Sequence, residues 1–160
     1  MSENGQILKI YLANLLTKAV RRGIMIYVKE AILMFDFSGF KEFDFNEGTP
    51  YISVTKNGVT FNKGVVLKLG CPEYVVLMIN EEGKQVAIKC CTAETPRSNA
   101  FYKPNVRGVL SVRWNSRDFL NTIKSMTGWD LEKESYRVEG KLLKEENAML
   151  FDLNRAEALS

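Results

Sequence analysis

The chain has 160 residues, 46% of them hydrophobic, and no histidine. It is long enough to bury a core, and this composition excludes a largely disordered protein. The formal net charge of +3 lies entirely in residues 1–33, which hold five Lys or Arg against two Asp or Glu, whereas the remainder carries 17 of each sign. A neutral body has no global field that attracts nucleic acid, so any such role depends on a local patch.

The three cysteines, Cys71, Cys90 and Cys91, are an odd number, and two of them are adjacent. This pattern argues against a disulfide framework. The absence of histidine and of a C-x-x-C pair argues against a zinc site. We therefore expect small buried thiols in a reducing, cytoplasmic environment, and neither a metal nor a cofactor.

The N-terminal residues contain two apolar blocks on either side of Arg21-Arg22-Gly23. Each block is too short to cross a bilayer, and no signal-peptide cleavage site follows, so we expect no membrane insertion. An amphipathic helix is one interpretation. The other is that translation starts at Met34, because codons for Lys29-Glu30-Ala31 can contain a bacterial ribosome-binding sequence. Residues 1–33 would then be an extension that is not natively translated.

The segment that begins at Met34 combines acids with closely spaced phenylalanines: Phe35, Phe37, Phe40, Phe43 and Phe45. Aromatic side chains bury large apolar areas, so the segment could complete the edge of a core. Alternatively, it could form an arm that binds a partner protein through Phe35, Phe37, Phe40 and Phe43.

Residues 52–90 predict a complete unit of strand, strand, short helix, strand and strand. Asn57-Gly58 predicts a type I′ hairpin turn, because both central residues of that turn need positive φ. Asn62 is a suitable N-cap for a helix over Lys63–Leu69, and Gly70 suits the left-handed position that ends it. A second hairpin follows, with the apolar run Tyr74–Ile79 as its first strand.

This unit resembles the swapped-hairpin DNA-binding domain of the AbrB/MazE/SpoVT family, which occurs in bacterial transition-state regulators and antitoxins. The resemblance rests on the "KNG" turn, Lys63, the "KLG" helix end at Lys68–Gly70 and the closing "VAIK" strand. It implies DNA binding, with Lys56 and Lys63 among the contacts. The family usually carries proline where this chain has Asn62.

Residues 105–153 predict a second copy of the same unit. Val59-Thr60-Phe61-Asn62 has a counterpart in Val112-Arg113-Trp114-Asn115. Asn115 and Asp118 resemble a capping box for an amphipathic helix that Gly128 ends. Two further strands, joined by the "KEEN" turn, complete the copy.

The predicted fold class is α+β. We expect one compact domain over residues 34–160, made of two repeats at about 51–91 and 105–153. A single repeat is too small to bury both faces of its strands. The two copies would form a pseudo-two-fold, mostly antiparallel β barrel, and a saddle of two lobes is compatible with the same element order.

The stretch Thr95–Arg117 contains no Asp or Glu, while its cations alternate with Phe101, Tyr102 and Trp114. Cations neutralise phosphates and aromatic faces stack on bases, so this stretch is a candidate nucleic-acid surface. A solvated loop would have the same composition. Together with the residues from the first unit, the predicted nucleic-acid-binding set is Lys56, Lys63, Arg97, Lys103, Arg107, Arg113 and Arg117.

No enzyme is predicted. Without histidine, general acid–base catalysis would depend mainly on Asp and Glu residues, and most of these lie in turns. The glycine spacing also does not match a phosphate-binding loop. The preferred function is non-enzymatic DNA binding of the bacterial transcription-regulator or antitoxin kind. Asn57, Asn62 and Asn115 are candidate base readers, although a turn for Asn57 and helix caps for Asn62 and Asn115 are the favoured explanations. The alternative is a protein-interaction or assembly module that exposes Phe35–Phe45, Phe101 and Tyr102.

Overall fold

A computed structural model of the chain describes residues 9–10, 35–43 and 48–159. The chain divides into two compact units, residues 1–43 and 44–160. The predicted N-terminal extension lies outside the described residues except for Lys9 and Ile10, and Phe45 also lies outside them. The sheet and helices considered next belong to the second unit.

The described part of the second unit contains nine strands and two α-helices. In chain order they are β1 (Tyr51–Thr55), β2 (Gly58–Phe61), α1 (Lys63–Lys68), β3 (Tyr74–Asn80), β4 (Gln85–Cys91), β5 (Ser98–Ala100), β6 (Val112–Trp114), α2 (Arg117–Thr127), β7 (Ser135–Leu143), β8 (Ala148–Asp152) and β9 (Glu157–Leu159). Short 3₁₀ helices at Lys144–Glu146 and Leu153–Arg155 flank β8.

Eight strands form a curled, antiparallel half-barrel in the order β5-β3-β4-β8-β7-β1-β2-β6, and β9 pairs with β7 beside β8. All strand pairs in the described residues are antiparallel. The long strand β7 connects the two parts of the sheet, because its first half pairs with β1 and β9 and its second half pairs with β8. The predicted α+β class with an antiparallel sheet is confirmed.

The β1–β2 hairpin forms at the predicted place, but the predicted type I′ turn is wrong. The two residues between the strands are Lys56 and Asn57, and neither has a positive φ. The positive φ falls one residue later, on Gly58, at 152°. The glycine therefore opens β2 instead of completing the turn.

Both predicted helices are confirmed, with one change of cap. The Asn62 side chain accepts a hydrogen bond from Val65 N at 3.1 Å, so Asn62 caps α1 as predicted. Helix α2 is capped by Ser116, whose Oγ accepts from Phe119 N at 3.2 Å, and the prediction of Asn115 as the cap is wrong by one residue. A left-handed Gly128 ends α2.

Strands β5 and β9 lie outside the two repeats that the sequence predicted, in segments for which no strand was expected. Asn99 of β5 pairs with Val75, and Ala158 of β9 pairs with Tyr136. Each strand has only three residues, which is too short for an alternating pattern to emerge. Their positions follow from the partner strands that they cover.

The aromatic centre of the core is Phe61, whose ring is fully buried. Its ring centroid lies 4.9 Å from that of Trp114, 5.2 Å from that of Phe101 and 6.0 Å from that of Phe151. All three contacts are edge-to-face, the geometry that aromatic quadrupoles favour. Phe101 is only 7% exposed, so the expectation that it is a surface aromatic is wrong.

The β2–β6 pairing determines what lies at each end of these strands. Val59 pairs with Trp114 and Phe61 pairs with Val112. The Lys56-Asn57 turn therefore lies at the same end as residues 115–117, where α2 begins. Residue 63, at the start of α1, lies at the opposite end.

Gly58 allows the close approach of the hairpin to the end of β6. A Cβ atom at this position would lie 2.6 Å from the Trp114 backbone oxygen and 2.8 Å from Asn115 Oδ1. We expect Gly58→Ala to reduce the free energy of unfolding by roughly 2–4 kcal/mol, since left-handed strain of 1–2 kcal/mol adds to a backbone clash.

Urea denaturation of the full chain would measure this loss. Gly70→Ala is the matched control, because Gly70 also has a positive φ of 77° but nothing lies within 4 Å of its Cβ position. Equal losses for the two variants would contradict a steric role for Gly58.

Candidate nucleic-acid interface

The tip of the β1–β2 hairpin presents one of the predicted cations. Lys56 is exposed, and its Nζ lies 3.5 Å from Glu132 Oε2. The side chains of Lys56 and Glu132 are 56% and 75% exposed, so this ion pair is screened by solvent and weak. Lys56 can therefore exchange the carboxylate for another anion at little cost.

Helix α2 supplies two more cations next to the hairpin tip. Arg117 is its first residue, and Lys124 follows at a spacing that puts both on one face together with Asn121. Lys56, Arg117 and Lys124 line one cavity of about 260 Å³, with Glu132 at its edge. Sequence reasoning missed Lys124, although the 117/121/124 spacing on a predicted helix could have identified it.

Arg113 of β6 lies close to the hairpin tip through its contact with Asn115. Its Nε donates a hydrogen bond to Asn115 Oδ1 at 3.0 Å, and Asn115 in turn lies against Gly58. Arg113 and Asn115 also line a neighbouring cavity of about 330 Å³. The guanidinium is thus held beside the hairpin tip by a defined contact.

We call these four cations, Lys56, Arg113, Arg117 and Lys124, the hairpin–α2 surface. They come from the β1–β2 turn, the middle of β6 and the first and third turns of α2. Asp118 and Glu132 are the acids on the same elements and cavity, so the local balance is positive. The structure therefore brings together Lys56, Arg113 and Arg117 from the predicted set and adds Lys124.

The remaining predicted cations lie elsewhere. Lys63 is exposed on α1, at the opposite end of β2 from Lys56. Arg97 lies in the β4–β5 connection with a φ of 62°, and Lys103 and Arg107 are exposed on the β5–β6 connection. The stretch that is free of acids is thus divided between two strands, the first residue of α2 and the connections around them.

The three asparagines differ in how much of their side chain is used by the fold. Asn62 Oδ1 also accepts from Tyr51 N at 3.0 Å, and its Nδ2 donates to Thr49 O at 2.8 Å, which confirms the helix-cap interpretation. Asn115 is engaged by Arg113. The Asn57 side chain is exposed at the turn and has no hydrogen bond to the described residues.

The aromatic residues near the cations belong mainly to the scaffold. Phe101 is buried, and Tyr102 and Trp114 pack against the core. The Trp114 ring also lies 6.2 Å from that of Phe119 on α2. Phe101 is therefore not accessible for base stacking, and what the hairpin–α2 surface exposes is mainly positive charge.

In the first unit, Phe35, Phe37, Phe40 and Phe43 are between 64% and 76% exposed. The rings of Phe35, Phe37 and Phe40 contact one another edge-to-face, with centroids 4.9–5.7 Å apart. Asp36 accepts a hydrogen bond from Ser38 N, which lowers the pKa of its carboxyl. The segment thus has local order with aromatic faces exposed.

The cysteines show no metal-binding arrangement. No group of three Cys, Asp or Glu side chains in the described residues is placed to hold a metal ion. Burial raises the pKa of the Cys90 thiol, whose Sγ lies 3.7 Å from Leu69 O. Within the described residues, no helix is long and apolar enough to cross a membrane.

Comparison of the chain with family models, with curated proteins and with solved structures found no match. The resemblance of residues 52–90 to AbrB/MazE/SpoVT domains therefore stays a prediction. The functional argument depends on the geometry of the hairpin–α2 surface.

Substitutions of Asn62 test whether this residue stabilises the fold or is instead kept for contacting a DNA base. We expect Asn62→Ala to reduce the free energy of unfolding by about 2–3 kcal/mol, because a helix cap and the partners of Tyr51 N and Thr49 O are lost together. Asn62→Asp keeps both acceptor contacts and should lose less. Thermal or urea unfolding of the two variants measures the difference, and a base-reading asparagine would instead leave stability unchanged.

Proposed function

We propose that this chain is a non-enzymatic nucleic-acid-binding protein, of the bacterial transcription-regulator or antitoxin kind, that contacts DNA with the hairpin–α2 surface. One observation carries the proposal. Lys56 on the hairpin and Arg117 and Lys124 on α2, elements far apart in sequence, line one cavity, and Asn115 holds Arg113 near the hairpin tip. Converging cations on rigid elements are what phosphate contacts require.

Charge and exposure support duplex DNA as the ligand. The four cations are exposed, so they bind phosphates without a large desolvation cost. Asn57 projects from the turn between Lys56 and Gly58 and has no hydrogen bond to the described residues, which leaves its amide available to a base edge. In this arrangement the four cations position the DNA backbone, and Asn57 is the candidate residue for contacting a base edge.

A duplicated scaffold is part of the proposal. The strand order supports it. If β5 and β6, the two ends of the order, are joined to make a circle, exchanging β1 with β5, β2 with β6, β3 with β7 and β4 with β8 gives the same circle, read in the opposite direction. The helices follow the same rule, because α1 comes after β2 and α2 after β6. Gly108, with a φ of 65°, lies within the β5–β6 connection, whereas Gly58 is the first residue of β2, so the two glycines are not at equivalent positions.

The same relation assigns three of the four remaining predicted cations to one further surface. Arg107 belongs to the connection equivalent to the β1–β2 turn, and Lys63 begins the helix equivalent to α2. Lys63, Lys103 and Arg107 would therefore form a second, sparser basic surface at the other end of β2 and β6. Two such surfaces would suit a target with approximate two-fold symmetry.

A protein-interaction module is the second candidate function. The exposed ring cluster of Phe35, Phe37 and Phe40 favours it, because exposed aromatic rings are typical of binding surfaces. Such binding would depend little on salt, in contrast to DNA binding.

Salt titration of binding to duplex and single-stranded DNA tests the DNA proposal. Because each phosphate contact contributes about 0.9 to the slope of log K against log salt, Arg117→Ala with Lys124→Ala should make the slope shallower by about 2. We expect Lys103→Ala with Arg107→Ala to have a smaller effect.

Lys141→Ala with Arg155→Ala is the matched control, since it removes the same charge from a cavity that Glu139, Asp152 and Glu157 also line. This control should leave the slope unchanged. No binding to either nucleic acid at about 50 mM salt, where phosphate contacts are strong, would reject DNA binding in favour of the interaction module.

A further inference from the structure

The two ends of the sheet order, β5 and β6, lie near each other without pairing. No ladder joins them in the described residues. The contact between them is made by a side chain, because Trp114 Nε1 donates to the Ala100 backbone oxygen at 3.3 Å. Paired strands lie about 4.8 Å apart, and an indole that spans a gap holds the two backbones further apart than this. We call this gap the β5–β6 seam.

Two hydrogen bonds show which backbone groups face the seam. The Ala100 backbone oxygen faces it, because this oxygen accepts the hydrogen bond from Trp114 Nε1. Asn62 N donates to Tyr51 O, so Thr60 faces β1, and its partner Arg113 points away from β2. The backbone N–H and C=O of Arg113 have no partner in the described part of the chain.

The seam also contains a cavity of about 330 Å³. Leu77, Trp114 and Phe119 supply most of its apolar lining, and Asn99 and Arg113 are among the polar residues that line it. Arg113 carries the one formal charge among the lining residues, and the cavity has no acid. An acidic ligand with alternating apolar side chains would complement this lining.

The contrast with β1 and β2 indicates that the seam is a specific opening. Those strands pair directly over four residue pairs. In β5 and β6, the strands that we propose as their equivalents, the connection over residues 101–111 is longer and the pairing is absent. Exposed strand edges normally attract another strand unless they are covered.

We propose that the β5–β6 seam binds an extended, acidic peptide segment of a partner protein, which adds to the sheet as a strand beside β6. Its backbone pairs with the N–H and C=O of Arg113, an apolar side chain enters the cavity above Leu77 and Phe119, and a carboxylate meets the Arg113 guanidinium. This mode of recognition takes affinity from backbone hydrogen bonds and selectivity from alternate side chains.

A peptide fits these features better than a nucleic acid strand. The seam offers the backbone N–H and C=O of Arg113, a donor and acceptor pair that a peptide strand matches and a sugar-phosphate backbone does not. It has a single cation, and its aromatic residues pack against the core instead of presenting faces for base stacking. The site is also distinct from the cavity that Lys56, Arg117 and Lys124 line.

The test uses the full chain and a synthetic peptide, acetyl-Thr-Val-Asp-Val-Asp-Val-Thr-amide. Strand addition must disturb the hydrogen bond from Trp114 Nε1 to Ala100 O, so the indole N–H resonance of Trp114 should shift in a ¹H–¹⁵N spectrum. Trp129 is an internal control, because it stacks on Tyr136 with centroids 4.0 Å apart and lies outside the seam lining. Trp129→Phe assigns the two signals.

Three comparisons make the result decisive. A peptide with lysine in place of aspartate, and one N-methylated at alternate residues, should each bind roughly tenfold or more weakly. Ala100→Leu fills the cavity and should weaken binding by a similar factor, whereas Arg155→Ala should not. A melting curve identical to that of the unaltered chain would show that Ala100→Leu folds.

The proposal is overturned if the acidic peptide leaves the Trp114 signal unmoved at about 1 mM, the weak limit of specific binding. Equal binding of the N-methylated peptide would also overturn it, because strand pairing needs those amides. A single-stranded oligonucleotide that moves the Trp114 signal when the peptide does not would assign the seam to nucleic acid. None of these outcomes depends on duplex binding at the hairpin–α2 surface.

Discussion

The contact between Gly58 and the end of β6 is the constraint on which the candidate site depends. A glycine at the first position of β2 leaves room for the Trp114 carbonyl and the Asn115 amide, so the hairpin turn lies directly against the start of α2. Lys56 at that turn then shares a cavity with Arg117 and Lys124. Any side chain at residue 58 would separate these elements and the charges that they carry.

The aromatic cluster around Phe61 also stabilises the contact between Gly58 and the end of β6. Trp114 packs on Phe61 and Phe119, which fixes the end of β6 against both β2 and α2. The exposed cations are therefore attached to well-packed elements. Because the backbone that carries these cations is already ordered, less conformational entropy is lost when a ligand binds. A surface with only four cations can therefore still bind a ligand. The half-buried indole of Trp114 also lies between β5 and β6, which do not pair. Trp114 therefore contributes both to the hairpin–α2 surface and to the β5–β6 seam.

Much of the scaffold could be predicted from the sequence because its signals are local. Asn62, Gly70 and Gly128 determine helix ends through their own side chain or backbone, and the structure has them in those roles. Ser116 replaced Asn115 as the cap because neighbouring polar residues compete for one position, and only the three-dimensional path of β6 decides between them.

The parts that could not be predicted depend on contacts distant in sequence. Strand β5 exists because β3 has a free edge, and Phe101 is buried because it reaches Phe61 across the sheet. The positions of the cations could not be predicted for the same reason. The acid-free stretch Thr95–Arg117 is continuous in sequence, but the fold distributes its cations over several elements. The cavity that unites Lys56 with Arg117 depends on the β2–β6 register, for which the sequence carries no local signal.

The most direct test of the account is a map of backbone amide shifts when duplex DNA is added to the ¹⁵N-labelled chain at low salt. The account predicts that the largest changes fall on residues 56–58 and 113–124, and that residues 139–155, around the cavity lined by Lys141 and Arg155, change little. Changes centred on the cavity lined by Lys141 and Arg155, or spread evenly over the second unit, would contradict it.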